Sequence, residues 1–262
     1  MNKLWALLCV AFFADPNIGS PVKRNSPVEI ELASPFEEIG GNFEGDMVLS
    51  LEQQDAVKHG YTSIIDDSIT YKWPNGVVPY VLDNSVYSLT QRNSIESALQ
   101  EIELVSCLQF VRRTTQKDYI FVTGSATSGC SSAVGRRGNM QTLSLQPNGC
   151  LSRGTIIHEF LHALGFVHMH SASDRDFFVT INESAISQQN LRDFSRRNST
   201  QVEDYGIPYD YDSVMHYGPK TYSANGEMTI IPKVPGVTIG QRVGLSYKDI
   251  KRLNYRYPNC YK

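Results

Sequence analysis

Apolar and polar positions alternate with different periods along the chain, and each period predicts an element. Val77, Val78, Tyr80 and Val81 form a β-rich run. Ile95, Ala98, Leu99 and Ile102 recur at helical spacing, which predicts a helix from about Thr90 to Val105. Leu108 to Val111 and Tyr119 to Val122 are short apolar runs of strand type, and Gln141 to Leu145 alternates as a further strand. A second helix is predicted from about Ser152 to Leu164. A last one starts at Ser246, where Ser246 and Asp249 have capping-box spacing. Residues from about 15 to 61 are rich in Pro, Glu, Ser and Gly without a sustained period, which predicts an extended, weakly structured segment. Strands and a helix come first, then the 152–164 helix, then an irregular C-terminal half. That order is α+β, and no internal repeat is present.

The N-terminus has a different pattern. Lys3 precedes the unbroken apolar run Leu4 to Ala14, which Asp15 and Pro16 end. The run is too short for a membrane span of about 20 residues and has the form of a secretory signal peptide. We assign residues 1–20 to it, with the end between 14 and 20, and expect a secreted, extracellular protein, released directly or from secretory granules. Cysteine usage agrees. Cys9 falls in the leader, leaving Cys107, Cys130, Cys150 and Cys260 for two disulfides in an oxidising compartment. Four cysteines allow three connectivities, and a local Cys130–Cys150 bridge across a loop-rich segment is one of them. Asn182 and Asn198 head glycosylation sequons. The 262 residues carry a formal net charge of -3 and 41% hydrophobic residues. That balance excludes a nucleic-acid binder, a disordered chain and a membrane-embedded one.

The chemistry sits in His158-Glu159-Phe160-Leu161-His162-Ala163-Leu164-Gly165-Phe166-Val167-His168. On a helix His158 and His162 share one face a turn apart, so two imidazoles can bind one zinc ion. Glu159 lies beside them, within reach of a water on the metal. Gly165 can adopt a left-handed conformation that ends the helix and lets His168 return as a third ligand. Three neutral imidazoles leave a position open, the arrangement of a catalytic zinc rather than a structural one. His59, His170 and His216 lack such spacing and are expected to be non-ligands.

The long zinc motif followed by Ser213-Val214-Met215-His216-Tyr217 is the metzincin pattern. In detail the chain resembles the astacin family of zinc endopeptidases. Trp73-Pro74-Asn75-Gly76-Val77-Val78-Pro79-Tyr80, Gly154-Thr155-Ile156-Ile157, Asp174-Arg175-Asp176 and Tyr211-Asp212 before the Met-turn carry the resemblance, which covers about residues 62–262 and the segment before them. The resemblance implies a two-subdomain fold around a cleft, with a twisted, mostly parallel sheet and helices above and an irregular C-terminal subdomain with a final helix below. It implies one Zn²⁺ on His158, His162 and His168, Glu159 as general base and then acid, and Tyr217 as a labile fifth ligand that stabilises the tetrahedral intermediate. Met215 would pack beneath the site, and the disulfides would be Cys107–Cys260 and Cys130–Cys150. Cys130 to Gly135 would be the edge strand that pairs with an extended protein or peptide substrate.

Phe43-Glu44-Gly45-Asp46 resembles the family's latency motif, in which Asp46 would occupy the open zinc position of a zymogen. Residues 21–61 are then a propeptide and 62–262 the catalytic domain. Partners would be substrate and an activating protease, with no nucleic acid and no membrane, and the protein a monomer. The sequence ends at Lys262, like the short family members, and lacks the extra cysteine pair that fish hatching enzymes carry. Three positions depart from the family around activation. Met169 stands where a buried Glu receives the new amino terminus. Ala172 replaces a common Arg, and Lys58-His59-Gly60-Tyr61 before the expected start at Thr62–Ile64 has no basic residue at the junction. We therefore expect processing at Lys58 or by a non-tryptic protease. Arg136, Arg137 and Arg242 are expected to be solvated or internally paired rather than substrate contacts. The alternative class is a catalytically silent binding protein of the same fold.

Overall fold

The computed structural model describes residues 32–59, 71–197 and 205–258. The leader, the 60–70 junction, Asn198 and Cys260 lie outside the described residues. A six-stranded sheet is built from β1 (Met47–Val48), β2 (Val77–Leu82), β3 (Gln109–Arg112), β4 (Tyr119–Thr123), β5 (Cys130–Ala133) and β6 (Met140–Leu145), in the order β1-β5-β6-β4-β2-β3. All neighbours run parallel except β5 against β6. Two helices pack on this sheet. The first, α2 (Leu89–Leu104), starts at Ser88, whose hydroxyl and Gln91 form a capping box, and it buries Ile95, Ala98, Leu99 and Ile102 as its period predicts. The second, α3 (Arg153–Ala163), starts at Ser152 and is buried from Gly154 to Ala163. Its Ile156, Ile157, Phe160 and Leu161 join the strands and α2 in the larger core.

Below the sheet the chain is irregular. Short 3-10 turns, a two-stranded sheet of β7 (Val179–Ile181) and β8 (Ile230–Pro232), and a smaller core around Met169, Phe194, Tyr209 and Tyr217 make up this half. The closing helix α4 (Tyr247–Arg256) begins at Ser246 with the expected capping box. Cys130 and Cys150 are bridged, joining β5 to the loop before α3. No described helix is long and apolar enough to cross a membrane.

The reading of residues 15–61 as weakly structured needs correction. Residues 32–59 form a 3-10 turn at Pro35–Glu37, strand β1 and helix α1 (Leu51–His59). The helix lacks an apolar stripe, so periodicity does not reveal it. Its start is nonetheless written in the sequence: Ser50 and Gln53 exchange backbone and side-chain hydrogen bonds as a capping box. The segment is ordered because it packs on the domain. Met47 and Leu49 are buried against Val134, and Gln53 donates to the Val134 carbonyl.

Trp73 and Gly154 fix the position of α3. The Trp73 indole donates to the Ala163 carbonyl at the helix end, 2.9 Å away. At the other end a Cβ on Gly154 would overlap the Arg242 carbonyl group. Gly154→Ala should therefore cost about 3 kcal/mol and lower the melting temperature by roughly 6–12 °C. Thermal unfolding of the full chain checks this, and an unchanged midpoint contradicts the close packing.

Candidate metal centre

His158 and His162 sit on one face of α3, and the chain turns at Gly165 (φ 99°), where any Cβ would strike the Arg256 guanidinium. The turn returns His168 to the same point. The three imidazoles are buried, and their Nε2 atoms face one another: His158 to His162 is 3.1 Å and His158 to His168 is 3.3 Å. Each ring is oriented from behind through Nδ1. His158 faces the Val214 carbonyl at 2.8 Å, His162 the Phe166 carbonyl at 2.7 Å, and His168 a carboxylate oxygen of Glu44 at 2.9 Å. These outer partners fix Nδ1 as the protonated nitrogen and leave Nε2 free to ligate.

Asp46 completes the cluster. Its Oδ2 is 3.1 Å from His158 Nε2 and 3.3 Å from His168 Nε2, while Oδ1 lies 3.3 Å from His162 Nε2 without a hydrogen-bond partner among the described residues. Asp46, His158, His162 and His168 each offer one ligand atom, all within 4.8 Å of one another and all buried. Lone pairs crowded this closely in a dry site need a proton or a metal ion between them. Three imidazole nitrogens and a carboxylate oxygen are a zinc-type donor set, so the residues present fit that ion.

Electrostatics agree with a site built for positive charge. Burial lowers the His158 pKa to about 4, helped by Arg242, so its ring is neutral. Burial also acts to lower His168, but the Asp46 and Glu44 carboxylates outweigh it and push it up to about 9. Glu159 is fully buried, and neither carboxylate oxygen has a hydrogen-bond partner among the described residues. Burial, reinforced by the negative Asp46 and Glu37, lifts its pKa well above the usual range.

The turn Ser213–Tyr217 runs beneath. The buried Asp249 carboxylate accepts from Ser213 Oγ at 2.6 Å and from the Val214 N–H at 2.8 Å, and Val214 in turn holds His158. Met215 is buried in the larger core, and its carbonyl accepts from the Met169 N–H. Tyr217 lies beside His168, ring centres 4.6 Å apart, and stacks on His170 at 3.7 Å. Its hydroxyl donates to the Glu44 carbonyl at 2.6 Å. His170 and His216 are buried and face the Asp193 carbonyl and the Tyr209 hydroxyl through Nε2, and His170 also lies in a second cluster of possible ligand atoms with Glu44 and His168. The Asn182 amide donates to the Met228 carbonyl, at 3.2 Å.

The family model described as astacin, a peptidase family, matches residues 66–258. The chain belongs to the astacin family. It is 39% identical over 258 residues to zinc metalloproteinase nas-14 of Caenorhabditis elegans, a match over 91% of this chain and 50% of that protein. It is 42% identical over 218 residues to the astacin-like metalloendopeptidase of Gallus gallus, covering 80% of this chain and 51% of that one. The chain thus spans about half the length of the curated relatives it matches. Among solved structures, the hatching enzyme zinc-protease high choriolytic enzyme 1 of Oryzias latipes superposes with a TM-score of 0.66 at 41% identity, over 71% of this chain and 92% of that one. Myroilysin, at 21% identity, shares the fold with a TM-score of 0.52.

Within this astacin fold Met169 packs in the smaller core with Phe194 and Tyr217, and Ala172 lies half-buried at its edge, so apolar packing fills the place of the family's Glu. Arg136 pairs with Asp118 at 2.6 Å, and Arg137 donates to the Val48 carbonyl, as the internal-partner reading expects. Arg242 is buried and holds Glu37 in a two-pronged pair, Nη2 to Oε2 at 2.6 Å and Nε to Oε1 at 3.0 Å. Glu44 is likewise clasped by Arg197. Neither pair has a local sequence signal, since 205 and 153 residues separate the partners.

Burial acts to raise the Glu37 pKa, but Arg242 outweighs it and leaves the carboxyl below its ordinary 4.5. A lowered native value adds stability that is full above the ordinary pKa and disappears as pH falls through the native one. Residues 32–59 should therefore hold less firmly in acid. Cleavage of this segment by an added protease should speed up as pH falls below about 4.5. Glu37→Gln should raise the rate at pH 6 and flatten that pH dependence, and equal profiles contradict it.

Proposed function

We propose that this protein is a secreted zinc-dependent endopeptidase made as a zymogen. The observation that carries the reading is the Asp46 carboxylate set among three converging histidines. His158, His162 and His168 would hold the ion, and Asp46 would take its remaining position until the prosegment leaves. A bound zinc ion supplies Lewis acidity, which lowers the pKa of water to about 7. Departure of the segment would relieve the burial of Glu159 and remove the Asp46 charge, the two largest causes that hold its pKa up, so that Glu159 could accept a proton as general base and later return it to the leaving amine. Loss of Glu44 frees the Tyr217 hydroxyl, which lies beside His168 and can then donate to a developing oxyanion.

β1 lies parallel along β5. Its departure would open the β5 edge to an extended peptide, whose backbone would pair there in place of Met47 and Val48. The leader reading and the family support secretion. Lys58 is exposed in the last turn of α1 and remains our choice for activation, together with a non-tryptic cut nearer Thr62–Ile64. Met169 offers an apolar contact to the new N-terminus rather than an ion pair.

Proteolysis of casein by the secreted full-length chain, before and after limited activation and with zinc content measured, tests this. Activity should appear only after prosegment removal and be lost on chelation. Glu159→Gln should retain about one zinc per chain and lose about 10²–10⁴-fold in kcat. Bound zinc without activity, after verified removal of the prosegment, contradicts the reading. A separate expectation concerns latency: Asp46→Ala should give an uncleaved chain with measurable activity, because a tethered carboxylate acts at about millimolar effective concentration. A silent uncleaved variant that still binds zinc would show that Asp46 is not the sole block.

A further inference from the structure

The closing helix α4 turns a charged face inward. Its buried side chains are Asp249, Arg252, Leu253 and Arg256. They have the spacing of an apolar stripe, yet three of the four are ionisable. Burying such groups is costly unless each is bonded. Here each one grips a neighbouring loop. Asp249 accepts from Ser213 Oγ and from the Val214 N–H, and Arg252 donates to the Ile207 and Pro208 carbonyls at 3.2 and 2.8 Å. Arg256, only 2% exposed, reaches the end of α3. Its Nε donates to the Leu164 carbonyl at 2.7 Å, where Tyr257 Oη also donates at 3.0 Å, and its Nη1 donates to Tyr205 Oη at 3.3 Å.

Leu164 and Gly165 make the turn between the second and third histidines. The Gly165 N–H donates to the His162 carbonyl at 2.8 Å and the Phe166 N–H to the Leu161 carbonyl at 2.9 Å, which closes the helix. At Gly165 a Cβ would overlap the Nε, Cζ and Nη2 atoms of Arg256, so the guanidinium covers the bare α-carbon of the turn. A cation at this end of α3 also complements the helix dipole. Directly after Gly165, the Phe166 carbonyl meets His162 Nδ1, and the chain then runs on to His168. A shift at Leu164–Gly165 therefore moves one ring through its outer partner and the other through the backbone. We propose that Arg256 is a positioning residue of the metal centre: it fixes this turn, and through it the Nε2 atoms of His162 and His168, without contacting the ion. The inference rests on the zinc reading of the site.

Zinc affinity of the full-length chain, measured by competition with a chromophoric chelator well below the melting temperature, tests this alongside thermal unfolding. Arg256→Met keeps the apolar stem and loses the donors. It should weaken zinc binding by about tenfold, the lower end of the loss expected when a metal ligand's outer support is removed. Arg256→Lys keeps the charge and a donor but not the planar face, and its affinity should fall between the two. Leu253→Ala empties core volume on the same face of α4. It should lower the melting temperature at least as much as Arg256→Met and leave zinc affinity within about twofold. An affinity unchanged or raised in Arg256→Met overturns the proposal. Equal losses of affinity in Leu253→Ala and Arg256→Met overturn it too, since Arg256 then acts only on overall stability. If Arg256→Met fails to fold, Arg256→Lys decides, and an affinity equal to that of the unmodified chain overturns the proposal. An unmodified chain that takes up no zinc fails the zinc reading itself, and the proposal falls with it.

Discussion

Imidazole nitrogens do not gather with a carboxylate in a dry interior without a reason. Here three Nε2 atoms and Asp46 face one point, at distances where a proton or a metal ion must lie between them. The fold can be understood as the means of holding that arrangement. Helix α3 supplies two rings at a one-turn interval, Gly165 turns the chain so that His168 returns, and Asp249 ties the Met-turn to α4 while Val214 orients His158. Burial makes each of these contacts matter, because a misplaced polar group there has no water to fall back on.

Residues 32–59, the proposed prosegment, meet the same constraint from the other side. They insert three carboxylates into the domain, and each has a cationic or metal-binding partner: Glu37 on Arg242, Glu44 on Arg197 and His168, Asp46 on the histidine cluster. Glu44 also supplies the outer partner of His168 and engages Tyr217 through its carbonyl. The segment therefore engages the histidine cluster, the Tyr217 hydroxyl beside it and the sheet edge at once. Release of one contact weakens the others, because they lie on one short stretch of chain.

The sequence made much of this legible. The eleven-residue motif carries the spacing of the three histidines, the buried Glu159 and the turn glycine together, and helical period placed α2 and α3 to within a residue or two. The capping box placed α4. Residues 32–59 were harder to read. Their helix α1 has no apolar stripe, and only the Ser50–Gln53 pair marks its start, so composition suggested loose chain where packing on Val134 imposes order. The Arg242–Glu37 and Arg197–Glu44 pairs were beyond reach, since nothing local distinguishes a buried arginine from a solvated one. Met169 was visible as a departure, but its place in the smaller core needed the fold.

The central claim is that a prosegment carboxylate and three histidines share one metal ion. X-ray absorption at the zinc edge on the full-length, uncleaved chain tests it most directly. We predict three nitrogen ligands and a carboxylate oxygen, all at about 2.0–2.2 Å, with the oxygen shell altered in Asp46→Ala. A spectrum unchanged by that substitution, or one with fewer than three histidine nitrogens, would contradict the account.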